Sequence, residues 1–137
     1  MLRLKLRVER ADGKRSIDVV ALVNSGFISF EPELLLPASL AEQLELSKVF
    51  KSSTMERLLA DGSRARLVKF PRSVIVKVVC DDRESDPVEA SVLVAERASL
   101  PLVNDKLVGK LRVVILDAGE GLWCFRDELG KKIRRSL

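Results

Sequence analysis

A chain of 137 residues, 47% hydrophobic and 32% charged, suffices for one domain with its own core, and it has no apolar run near the roughly 18 residues of a membrane helix. It contains no histidine and two widely spaced cysteines, Cys80 and Cys124, which excludes Ser-His-Asp and Cys-His nucleophilic sites and argues against a zinc site. The net charge of +4 is uneven: Arg3, Lys5, Arg7, Arg10, Lys14 and Arg15 load the start, and Lys131, Lys132, Arg134 and Arg135 load the end. With no tyrosine and one tryptophan to stack bases, these charges read as solvated side chains rather than a nucleic-acid surface.

Residues 2–8 alternate apolar and charged, the period of a half-buried strand rather than the continuous apolar segment of a leader. A cytoplasmic location without membrane contact is therefore expected. The Asp12-Gly13 turn leads to a second strand over 17–23, apolar enough to be expected buried on both faces. Asn24-Ser25-Gly26 breaks it, and 27–30 continues extended. Pro37 opens a short helix in which Leu40 and Leu44 share a face. A strand over 49–60, the Asp61-Gly62 turn and a returning strand over 64–70 form a hairpin.

The β-branched run 74–79 is a strand, 81–87 a polar loop and 88–95 another strand. Asn104 or Asp105 caps a short helix ending near Leu111. Residues 113–116 and 122–125 flank a last hairpin turn that Asp117 starts, and the tail from Asp127 reads as helical or loose. Asp61 reads as a turn former, and the acids of the 81–87 loop lack the spacing of a calcium loop. Many short strands with Asp-Gly turns and one or two short helices describe a mainly β domain, a small closed barrel. Residues 1–126 form that domain and 127–137 a basic tail. One internal echo stands out: Leu22-Val23-Asn24 is repeated as Leu102-Val103-Asn104, and these are the only asparagines in the chain.

The order of these features resembles the retropepsin-like aspartic proteases, especially small prokaryotic members. Ala21-Leu22-Val23-Asn24-Ser25-Gly26-Phe27 resembles the family's strand into Asp-Thr/Ser-Gly, with Asn24 in place of the catalytic aspartate, and Leu34-Leu35-Leu36-Pro37 resembles the run into its helix. Leu59-Ala60-Asp61-Gly62-Ser63 stands where the family carries its flap, so Ala60, Asp61 and Gly62 would meet substrate. Pro101-Leu102-Val103-Asn104-Asp105-Lys106-Leu107 resembles the second psi-loop, with Asn104 replacing glycine, and Val114-Ile115-Leu116-Asp117 and Gly121-Leu122-Trp123 resemble the closing strands.

The resemblance implies a homodimer in which each subunit supplies one loop, Ser25 bonding across the dimer and Gly26 allowing close backbone approach, with a peptide or unfolded segment as ligand and no cofactor. The terminal strands are the expected interface. Such an enzyme needs two carboxylates sharing a proton. Asn24 keeps the shape but cannot take a proton from water, so an inactive homologue retaining peptide binding is the first expectation. The alternatives are an active endopeptidase represented by an Asp-to-Asn variant, and a non-enzymatic adaptor or nucleic-acid binder using the basic ends.

Overall fold

The structure is a computed structural model that describes residues 1–23, 29–58 and 61–137. Strand β1 (Arg3–Arg10) follows the expected alternation: Leu4, Leu6 and Val8 are buried and Arg3, Lys5 and Glu9 exposed. It pairs antiparallel with β2 (Ser16–Val23). Contrary to expectation, β2 is not buried on both faces. Val19 and Ala21 enter the core, whereas Asp18 and Val20 face outward. Its apolar outward residues reflect strand propensity rather than burial.

A strand not anticipated from sequence, β3 (Glu33–Pro37), follows. Pro37 ends the strand and leads directly into α1 (Ala38–Gln43). A second helix, α2 (Leu46–Val49), takes the first residue assigned to the next strand, so β4 is shorter, Ser53–Leu58. The two strands expected over 64–70 and 74–79 are one 15-residue strand, β5 (Arg64–Val78), with an irregularity between Phe70 and Val74. Pro71 lacks a ladder donor and Arg72 has φ 48°, so the interruption falls where regular pairing would fail. The Arg72 N–H is satisfied by Ser91 Oγ at 2.9 Å.

Strand β6 (Val88–Ala95) pairs with both β5 and β3, and the two-residue β7 (Leu102–Val103) lies between β2 and β3. The seven-stranded sheet runs β1-β2-β7-β3-β6-β5-β4, and β5 also pairs with β1. Its inner surface holds Leu4, Leu6, Leu34, Leu36, Val76, Val92 and Val103, with Leu107 and Leu111 of α3 (Asp105–Lys110 and its cap) packed on them. A smaller sheet, β10-β9-β8, is built from β8 (Val113–Asp117), β9 (Leu122–Phe125) and β10 (Arg134–Arg135). The fold is mainly β with short helices. Among the described residues no helix is long and apolar enough to cross a membrane.

The tail is fixed rather than loose. After a 3-10 turn at Arg126–Glu128, β10 returns to β9 and the chain end reaches β1. Gly121, at φ +69°, accepts the Ser136 N–H at 2.7 Å, and a Cβ there would lie 2.7 Å from the Ser136 Cβ, so glycine permits this docking. Arg134 is buried instead of solvated. Its guanidinium meets Glu128 and Asp82, each through two contacts of 2.8 Å, and lies over Trp123 and Phe125.

The Arg134 hydrogen bonds, aided by the charge of Arg83, pull the Glu128 carboxyl from its ordinary 4.5 to about 2. Because the folded-state value is depressed, this stabilisation is complete above pH 4.5 and is lost as pH falls toward about 2. The urea midpoint should therefore drop through that window. Glu128→Gln should be less stable at neutral pH and show a flatter acid limb, as followed by fluorescence-detected unfolding.

Candidate functional site

Two short apolar pairs form the centre of the site. In the parallel ladder between β2 and β7, Leu22 faces Leu102 and Val23 faces Val103. On the other side of β7, Leu34 faces Val103 and Leu35 faces Leu102 in antiparallel register. The echo in the sequence is thus a pairing in space, with β7 inserted between two strands that follow one another along the chain. Parallel pairing aligns equal sequence steps, so repeated residues meet their own kind. Asn24, Ser25 and Gly26 follow Val23 in sequence, but they lie outside the described residues, as does Ala60 of the proposed flap.

Asn104 follows Val103 and is fully buried. Its Oδ1 accepts the N–H of Leu107 at 2.9 Å and of Glu33 at 3.0 Å. Its Nδ2 donates to the Glu31 carbonyl at 2.9 Å. The first bond caps α3, and the other two hold the 31–33 segment beside it. The backbone joins in, since Asn104 N–H donates to Glu33 O at 3.2 Å. Aspartate could accept both N–H groups but could not donate to the carbonyl, and serine is too short to reach all three partners. An amide at this position therefore has a structural reason independent of chemistry on a substrate.

Asp61 and Gly62 stand at the far end of the β4–β5 hairpin, whose strands pair from Ser53–Lys69 to Leu58–Arg64. Asp61 Oδ1 accepts the Ser63 N–H at 2.9 Å and the Ser63 hydroxyl at 2.6 Å, and these bonds lower the Asp61 pKa. Gly62 has φ +87°, which a side chain would resist. Asp61 is thus a turn former. In the β8–β9 turn, Asp117 makes a similar local bond, accepting the Glu120 N–H at 3.0 Å.

A charged cluster missed in the sequence lies at the root of the hairpin. Glu33 opens β3 and its side chain is fully buried. Arg57 of β4 binds its two carboxylate oxygens at 2.8 and 2.9 Å, and Lys69 of β5 reaches Oε2 at 3.0 Å. The same ammonium contacts Glu31, whose carboxyl is lowered chiefly by that hydrogen bond. Burial opposes the charge on Lys69, but the two carboxylates outweigh it and raise its pKa. The cluster joins β3, β4 and β5 next to Asn104. Donors from Arg57 and Lys69 occupy both oxygens of Glu33, which makes it a counter-ion rather than a general base. The one sequence signal was a glutamate opening an apolar run, since a buried carboxylate requires cations; their identity depended on strand pairing far along the chain. Among the described residues no cluster of three or more His, Cys, Asp or Glu could hold a metal ion.

A short strand between two others, a capped helix after it and a long hairpin beside it are consistent with a retropepsin-like fold. Among solved structures, the chain is similar to the retroviral protease-like domain of Ddi1 from Leishmania major, with TM-score 0.52 and 12% sequence identity, covering 100% of this chain and 95% of that one. No protein-family model matches the sequence, and no curated protein sequence matches it.

Asn104→Ala should leave two buried N–H groups and a carbonyl without partners and cost on the order of 3 kcal/mol, measured as a lower urea midpoint at unchanged slope. Glu33→Gln should cost about 3 kcal/mol because it removes the buried carboxylate charge that Arg57 and Lys69 share. Hydrogen exchange should then rise first in the β4–β5 hairpin.

Proposed function

We propose that this protein is a retropepsin-like homologue that binds peptide without cleaving it, in a groove formed by two copies of the chain. The observation carrying this reading is the side-by-side register of Leu22-Val23 with Leu102-Val103, each pair followed in sequence by asparagine. The fold likeness to the protease-like domain supports it, as does the return of the sheet from β5 to β1, which we read as a small closed barrel.

In an aspartic protease, one carboxylate removes a proton from water while the other, protonated, polarises the scissile carbonyl. Asn24 can hydrogen bond but cannot perform either proton transfer. A symmetric dimer would lose both acids together. Ser25 and Gly26 would retain their roles in the loop, and the β4–β5 hairpin, with Asp61 and Gly62 at its turn, would cover the bound segment. Its root, fixed by Glu33, Arg57 and Lys69, supports a hairpin that holds a set distance from β3.

The protein should form a dimer by light scattering, bind members of a peptide library, and leave an unfolded protein intact at acid pH. Asn24→Asp should raise acid cleavage on the order of 10²–10⁴-fold, blocked by a transition-state mimic. Cleavage by the unaltered protein would identify an active enzyme. A monomer, or a dimer that binds no peptide at high concentration, would remove the groove.

A further inference from the structure

The two basic ends of the chain meet. A cavity of about 330 Å³ opens among the start of β1, the end of β5 and the returning tail, within the size range of small-ligand sites. Leu4, Val78 and Trp123 give it an apolar floor. Arg3, Lys5 and Arg135 also line it, and among the described residues none of their side chains makes an ion pair or hydrogen bond. The remaining charges are largely consumed: Asp82 binds Lys132 at 2.7 Å and Arg134 at 2.8 Å, and Glu128 takes the other side of Arg134. Among the described residues, Asp81 is the one lining acidic side chain outside these pairs, and the charge of Lys5 also acts on Asp18.

We propose that this cavity binds a small organic anion, a phosphate or carboxylate group carried on an apolar body. The cations at the rim seat the anionic group, and the floor removes the body from water. Like charges gathered at a concave, partly apolar surface repel one another until a counter-charge arrives, so an anion gains from all three at once. A nucleic-acid strand fits less well, because Trp123 is almost fully buried, its ring against Phe125 and its Nε1 donating to Arg135 O, and offers no open face to a base. The cavity shares no residue with the Asn104 site, and the proposal does not depend on peptide binding there.

Trp123 is the single tryptophan, so its fluorescence reports on the cavity directly. Cyclohexanecarboxylate and cyclohexyl phosphate, titrated separately, should each give a saturable change, and the tighter one identifies the preferred anionic group. Cyclohexanol should give none, and inorganic phosphate should bind more weakly than its cyclohexyl ester. Lys5→Glu and Arg135→Glu should each weaken binding about tenfold, as should raising salt to about 0.5 M. Lys5 is exposed on β1, so its variant tests the site even if the change beside buried Arg134 disturbs folding. No saturable signal with either anion, an equal response to cyclohexanol, phosphate binding as tightly as its ester, or an unchanged affinity in Lys5→Glu would overturn the proposal.

Discussion

The buried amide of Asn104 ties the first turn of α3 to the 31–33 segment that opens β3. Its oxygen takes two backbone N–H groups, one from the first turn of α3 and one from the start of β3, while its nitrogen reaches the Glu31 carbonyl. Buried backbone groups need partners, and a loop passing beneath a strand cannot obtain them from a ladder alone. With those groups satisfied, β7 can lie between β2 and β3, β3 can extend to β6, and the β4–β5 hairpin can stand on Glu33. Loss of the amide would expose the whole junction to competition from water.

The two charged clusters make a different contribution. Glu33 with Arg57 and Lys69, and Arg134 with Glu128 and Asp82, place ions where apolar residues would have packed well. Desolvation offsets much of their attraction, so neither is simply a source of stability. Their value lies in geometry. A bidentate arginine accepts one arrangement of its carboxylate, whereas leucines tolerate sliding. One cluster fixes the hairpin against β3, and the other fixes the tail against the 81–87 loop.

Much of the strand order was legible because it rests on local signals. The alternation of Leu2, Leu4, Leu6 and Val8, the β-branched run 74–79 and the Asp61-Gly62 turn each announce their own structure. The echo of Leu22-Val23 in Leu102-Val103 was visible in the sequence, but the parallel pairing that joins the two was not. What escaped depended on distant partners. Strand β3 was hidden between two prolines because its partners, β6 and β7, come much later. Nothing local singled out Glu33, because its partners Arg57 and Lys69 arrive with later strands. The tail looked loose because its order comes from β9 and β1, not from its own sequence. For the candidate site, Asp61 and Asn104 could be given structural roles from residue type alone, while the cluster beneath the hairpin could not.

The long reach of these pairings also governs how the molecule can be made. Arg3 bonds to Ser136, 133 residues away, and β2 finds β7 only after most of the chain exists. A ribosome releasing this protein would expose the apolar faces of β1 and β2 well before β7 or the tail could cover them. Topologies dominated by such distant contacts fold slowly, since loop closure precedes its reward. The alternating arginines and lysines on the outer face of β1 would then serve during synthesis, keeping an unfinished sheet from pairing with its neighbours.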